Sequence, residues 1–224
     1  MYRNMSFCRF DLNAYQAAES RELMKLTFDC ISYWLEHFEK MKKDGMGLYL
    51  FSEAKGSGKT RMAACIANEL LCEKEVSVRF VTSMQILEEI KESWGRKSEI
   101  SESALFGYLA NADILVIDDF GTEQAEKAWI RERFYSIINS RYVAKKVTIF
   151  TSNYSVSKLS YDERITNRIR ESTYQLPFPE ESIRPQIAAK NMGELMEKVY
   201  KHQGIEGEQL DIPKEFLEER SGEE

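Results

Sequence analysis

Residues 47–60 read GLYLFSEAKGSGKT. The run from Gly47 to Phe51 is short, apolar and without helical spacing, which predicts a buried strand. A polar, glycine-bearing loop follows, and from Thr60 to Leu71 the residues Met62, Ile66 and Leu70 recur on one helical face. A glycine loop between a strand and a helix can wrap its backbone N–H groups around phosphate oxygens, with the positive end of the helix behind them. Gly56, Ser57, Gly58, Lys59, Thr60 and the adjoining Arg61 are therefore the expected nucleotide contacts. Lys59 would act as a point charge for the outer phosphates, and the Thr60 hydroxyl as a magnesium ligand. The strict pattern G-x-x-x-x-G-K-[ST] places a glycine at position 53, where this chain carries Glu53. A carboxylate turned toward a polyphosphate would be repelled, so Glu53 is expected to point outward. Taken alone, the run also fits an ordinary turn entering a helix, and the rest of the chain has to decide.

Working outward, residues 114–119 read ILVIDD, an apolar strand ending in two carboxylates. Carboxylate oxygens and water suit magnesium. Asp118 is expected to hold the ion's water shell and Asp119 to orient an attacking water. Thr151-Ser152-Asn153 follows another apolar run, and Asn153 could reach the water between Asp119 and a terminal phosphate. Arg164 and Arg168 stand four apart on one helical face. Glu163 and Glu171 nearby allow a surface ion-pair role; the sharper reading is an arginine finger that reaches a neighbour's nucleotide. Arg184 is a second candidate phosphate contact.

The remaining pattern alternates. A helix is predicted from a cap at Ser20 to about Lys43, with Leu23, Thr27, Ile31, Trp34, Phe38 and Met41 on one face. Strands are predicted over 76–81, 114–117, 147–151 and 173–176. Helices are predicted over 83–94, 101–110, 124–141, 162–171 and 192–202. Strands alternating with helices imply crossover connections and a parallel sheet covered on both faces, with ligands at the carboxyl ends of the strands. Every polar motif above falls at such an end.

Composition limits the alternatives. The chain has 224 residues, of which 43% are hydrophobic, enough for a substantial core. No run approaches the roughly 18 apolar residues of a membrane helix, and no signal-peptide core opens the chain, so a cytoplasmic, non-membrane protein is expected. Cys8, Cys30, Cys65 and Cys72 are too dispersed for a zinc site or a disulfide framework and read as buried small hydrophobes. Residues 204–224 hold eight acidic and two basic residues, which accounts for the whole formal net charge of −6. The body is thus balanced, against strong free-standing DNA binding, and the tail reads as solvated.

Together these pieces resemble the AAA+ ATPases, and among them the DnaC/DnaI-type replicative helicase loaders. The resemblance rests on GLYLFSEAKGSGKT (47–60), ILVIDDFGTE (114–123), TSN (151–153), DERITNRI (162–169) and ESIR (181–184), in the family's order and spacing. It implies an α/β three-layer P-loop NTPase fold with a parallel five-stranded sheet in the order 5-1-4-3-2 and helices on both faces. It divides the chain into an N-terminal linker and helix of the ATPase body (1–45), an AAA+ core (46–190) and a C-terminal helix with an acidic tail (191–224). It gives Asp118 to magnesium, Asp119 to water activation, Asn153 to the first sensor, Arg168 to the finger with Arg164 beside it, and Arg184 to the second sensor. The cofactors implied are ATP and Mg2+.

The implied activity is ATP hydrolysis by an open ring or spiral that helps load a replicative helicase onto single-stranded DNA. DNA contact would be weak and dependent on assembly. Lys91, Arg96 and Lys97 would meet phosphates and Trp94 would stack on a base, although interleaved glutamates allow a plain solvated face. Members of the resembled family usually begin with a separate helicase-binding domain, whereas here the ATPase pattern starts almost at once; either that domain has been removed from this sequence or the contact lies elsewhere, with the stretch from Met192 onward a candidate for it. An IstB-type transposition ATPase shares nearly all these motifs, and a nucleotide-binding interaction module with little hydrolysis is the reading from a different class.

Overall fold

The computed structural model describes residues 5–7, 10–74, 76–95, 101–123 and 127–202. Five strands form one sheet: β1 (Gly47–Phe51), β2 (Val78–Thr82), β3 (Ile114–Asp118), β4 (Val147–Ser152) and β5 (Thr173–Pro177). Their order is β2-β3-β4-β1-β5 and all the pairings are parallel. This is the expected 5-1-4-3-2 order, counted from the other edge. Between the strands run α1 (Ala18–Glu36), α2 (Phe38–Asp44), α3 (Lys59–Glu73), α4 (Ser83–Ser93), α5 (Glu102–Asn111), α6 (Ala128–Val143), α7 (Glu163–Ser172) and α8 (Arg184–His202).

The strands are almost wholly apolar because both faces are covered, and successive side chains alternate between the two sides. Leu48, Leu50, Ile114, Val116, Val147 and Ile149 enter one core with α1, α2 and α3. Tyr49, Leu115, Ile117 and Phe150 enter the other with α4, α5, α6 and α7. Each fully buried side chain of this size contributes roughly 1.5–3 kcal/mol. Two apolar layers on one sheet therefore fix the register of every strand, and with it the point at which each strand releases its polar end.

Several local expectations shift. Ser20 does not cap α1: the helix begins at Ala18, and its N-cap, Ala17, has no side-chain cap. The carboxylate of Glu181 instead holds the two residues just ahead of the helix, accepting the backbone N–H groups of Gln16 at 2.6 Å and Ala17 at 3.3 Å. The long first helix pauses at His37 (φ −102°, ψ 23°) and restarts as α2. Its buried stripe begins at Met24, while Leu23 is only half-buried. The last helix starts at Arg184 rather than Met192, which puts Arg184 in a first turn. Helix α6 starts at Ala128, and residues 124–126, expected in it, lie outside the described residues. Of the cysteines only Cys65 is buried; Cys30 and Cys72 are exposed because they fall on the outward faces of α1 and α3, and Cys8 lies outside the described residues.

Candidate active site

At the carboxyl end of β1 the chain turns through residues 52–58 into α3. Gly58 is the N-cap of that helix and has φ +98°, a conformation a residue with a Cβ avoids. No side chain caps the helix, so its first N–H groups are left for an anion at the positive end of the helix dipole. Lys59 is 5% exposed, and its ammonium donates to Ser52 O (3.0 Å), Ala54 O (3.0 Å) and Ser57 Oγ (3.2 Å). Burial lowers its pKa, against the raising influence of Asp119, Glu180 and Asp118.

At the end of β3, Asp118 is 4% exposed. Its Oδ1 accepts from Thr151 Oγ1 at 2.5 Å. Burial raises its pKa, and the Thr151 bond offsets part of the rise. The next residue, Asp119, is exposed and takes a left-handed backbone with φ +54°. Thr151 Oγ1 accepts the Asp119 N–H at 3.0 Å, while the hydroxyls of Ser83 and Thr122 donate to the Asp119 carbonyl at 3.0 and 2.8 Å. One β4 hydroxyl thus ties the two aspartates together.

Gly56, Ser57, Gly58, Lys59, Thr60, Arg61, Asp118, Asp119, Asn153 and Arg184 all line one cleft of about 480 Å³. Asn153 enters it from the end of β4 and Arg184 from the first turn of α8. Arg168 and Arg164 are not part of it. Arg168 lies on α7 against α6, donating to Asn139 Oδ1 at 2.7 Å and to the Tyr135 hydroxyl at 3.2 Å. Its guanidinium sits 4.9 Å from the Tyr135 ring centroid. Arg164, at the same distance from that ring, pairs with Asp162 at 2.9 Å and is 66% exposed.

Glu53 points away from the cleft. Its exposed carboxylate pairs with Lys158, and its backbone N–H, with that of Ala54, is held by Glu180. Its φ is not positive, so the backbone there accepts a Cβ. The donor set suits magnesium: the Thr60 hydroxyl and the Asp118 carboxylate are hard oxygen ligands lining the same cleft, and this ion is commonly bound by one or two carboxylates plus substrate phosphates and water. Among the described residues no cluster of three or more His, Cys, Asp or Glu side chains could hold a metal without such help.

Three features had little signal in the sequence. Thr151 lies inside the quoted TSN run, but its bridge between two aspartates shows only in three dimensions. The Tyr15 hydroxyl donates to Ser57 O at 2.7 Å, which anchors the phosphate loop to a residue 42 positions away. On the other side Ile183 N donates to Gly56 O at 3.0 Å, and Ile183 and Ile187 give the cleft an apolar wall. For Trp94, one half of the indole is engaged: its N–H donates to Glu102 at 2.7 Å and its ring meets Trp129 edge-on, yet it stays 52% exposed. The expected phosphate contacts Arg96 and Lys97 lie outside the described residues, as do residues 203–224 of the acidic tail. No helix among the described residues is long and apolar enough to cross a membrane.

The replicative helicase loader DnaC of Escherichia coli K12 is 33% identical over 124 residues, covering 54% of this chain and 49% of that protein. The replicative helicase loader DnaI of Bacillus subtilis 168 is 32% identical over 135 residues, covering 60% of this chain and 41% of that one. The chain thus matches about half the length of these curated relatives or less. A crystal structure of the DnaC helicase loader superposes with a TM-score of 0.65 at 22% identity, over 80% of this chain and 98% of that one, which shows the shared P-loop NTPase fold. The IstB-like ATP binding protein family matches residues 15–170, most of the described body, and the chain belongs to that family.

Proposed function

We propose that this protein is an ATP-hydrolysing AAA+ loader that helps place a ring-shaped replicative helicase on single-stranded DNA. The observation that carries the reading is the convergence of Lys59, Thr60, Asp118, Asp119, Asn153 and Arg184 on one cleft. A site built only to hold a nucleotide has no use for a second exposed acid and a polar amide aimed at the same space. The names of the curated relatives supply the biological context, and they favour this reading over the transposition one.

In this reading the N–H groups at the start of α3 and the Lys59 ammonium bind the phosphates. The Thr60 hydroxyl and Asp118 would hold Mg2+, whose chemistry is to draw charge from the bridging oxygens. Asp119 orients the water and accepts its proton, Asn153 steadies that water, and Arg184 contacts the outer phosphate. Arg168, absent from its own cleft and preorganised on Tyr135, reaches the nucleotide of an adjoining subunit in an open ring or spiral. Residues 1–45 and 46–190 work as one ATPase body, and residues 191–224 extend from it. Lys91 and Trp94 offer a weak, assembly-dependent contact to single-stranded DNA, with the exposed part of the indole available for stacking.

The test is ATP turnover by Arg168→Ala with a helicase and single-stranded DNA present. Nucleotide binding is expected to stay at the wild-type level while turnover falls by about a thousandfold or more, the scale of a lost arginine finger. Normal turnover in that variant would sink the trans-acting role. Failure of the protein to capture any replicative helicase, with or without ATP, would sink the loader reading.

A further inference from the structure

Glu123 is a buried acid at the end of the ILVIDDFGTE run to which no step above gives a task. It is 5% exposed. Both its oxygens accept the Gly121 N–H, at 3.1 and 3.0 Å, and Oε1 also accepts the buried Tyr161 hydroxyl. The turn it grips is left-handed at two positions: Asp119 has φ +54°, which costs energy for a residue with a Cβ, and Gly121 has φ +93°, which glycine adopts freely. A Cβ on Gly121 would meet Leu159 Cδ2 at 2.6 Å, so the turn runs tightly beneath the chain between β4 and α7. A non-glycine residue in the left-handed region holds only where its surroundings over-determine it. Here the surroundings are Thr151, Ser83 and Thr122 on Asp119, Ser152 Oγ on the Phe120 carbonyl at 2.6 Å, and Glu123 on Gly121.

Tyr161 touches this turn twice. Its ring stacks on Phe120, with centroids 5.0 Å apart and planes 2° apart, and its hydroxyl reaches Glu123. The next residue, Asp162, is the N-cap of α7, the helix that carries Arg164 and Arg168. The Asp119 turn and the arginine helix therefore share one buried connector.

We infer that Glu123 is a positioning residue for ATP hydrolysis: through Gly121 it sets the backbone of Asp119, and through Tyr161 it joins that setting to helix α7. This rests on the hydrolytic reading above. A subunit that engages Arg168 with its neighbour would thereby hold its own Asp119 in the reactive geometry. The chemistry favours such a role over mere packing, because an apolar residue would fill the same space but leave the Gly121 N–H and the buried Tyr161 O–H without an acceptor.

The experiment compares Glu123→Ala, Glu123→Gln and Tyr161→Phe in the full chain, alongside wild type. It measures ATP turnover under assembling conditions, affinity for a non-hydrolysable fluorescent ATP analogue, and thermal melting. A small misplacement of a reacting group can cost up to about a hundredfold in rate. We expect kcat to fall about thirtyfold in Glu123→Ala and about fivefold each in Glu123→Gln, which keeps one acceptor oxygen, and in Tyr161→Phe, with analogue affinity within about twofold throughout. If Glu123→Ala does not fold, the other two substitutions carry the test. In Tyr161→Phe/Arg168→Ala, less-than-multiplicative losses support the link to α7, and multiplicative losses overturn it. An active wild type matched by all three single variants overturns the inference alone, as does a kcat loss that tracks weakened binding. An inactive wild type overturns the hydrolytic reading, and this one with it.

Discussion

The two ends of the sheet handle charge in opposite ways. At the amino ends of β3 and β4, Arg141 is 1% exposed, and its guanidinium donates to the carbonyls of Leu109, Ala110, Ala112, Asp113 and Val147 and to Thr148 Oγ1. Beside it Asp113 accepts from Lys146 and Ser77, which hold its pKa down to about 2. At the carboxyl ends, Lys59 donates only to uncharged oxygens, and among the described residues Asp118 and Asp119 form no ion pair. Burial pushes the Asp118 carboxyl up rather than down. Satisfied charge at one end serves the fold. At the other end Lys59 and Asp118 have hydrogen bonds, but the two aspartates have no cation paired with them among the described residues, and the same scaffold tolerates both.

Breaking the satisfied end should have the largest effect. Arg141→Met leaves several buried carbonyls without donors and should destabilise the protein by about 3–5 kcal/mol in chemical denaturation. Nucleotide affinity of the fraction that stays folded should not change. Next comes Lys59→Ala, which should weaken ATP binding at least about a hundredfold, equivalent to roughly 3 kcal/mol, with little change in melting temperature. A loss of stability in place of a loss of binding would erase the contrast between the two ends.

Asp118→Asn sharpens the comparison, because it should abolish turnover yet raise stability. A carboxyl whose folded pKa lies above its unfolded value binds more protons in the folded state, so its burden grows as pH rises through that window. At pH 7 the substitution should stabilise the nucleotide-free protein by about 1 kcal/mol, seen as a melting temperature ~2–4 °C higher. The gain should shrink as pH falls through the raised value. The smallest effect belongs to Glu53→Gly. The Glu53–Lys158 pair is exposed on both sides, with side-chain exposures of 60% and 61%, and such pairs contribute about 0–1 kcal/mol. Restoring the glycine of the strict motif should change ATP affinity by no more than about twofold in a titration.

The sequence made the sheet legible because its strands are continuous apolar runs and its glycine loop is a local signal. Gly47–Phe51 was bounded correctly, and the strand order followed from the resemblance. Ten of the eleven expected site residues share the cleft; nine of them sit at the end of a strand or the start of a helix that the pattern could find, and Arg184 sits at a helix start that it did not. Arg168 lies outside that cleft, on α7 against Asn139 and Tyr135 of α6. What stayed hidden acts across distance. The Glu181 contacts just ahead of α1 span 165 and 164 positions and leave no periodic trace. Helix α8 starts at Arg184, eight residues ahead of the expected Met192. Arg141 gave no hint either, since its partners are backbone carbonyls, which every residue has.

The contacts around Glu181 carry one more consequence. This residue holds the start of α1, while its neighbours Ser182 and Ile183 lie on Gly56, and Tyr15 lies on Ser57. Two remote stretches of chain are fastened to the same few loop residues. Local opening of the loop must release both, so the amide protons of Gln16, Ala17 and Ile183 should exchange with solvent as one cooperative unit. A nucleotide that quiets the loop would slow all three together, and the tempo of the first helix would report whether the cleft is filled.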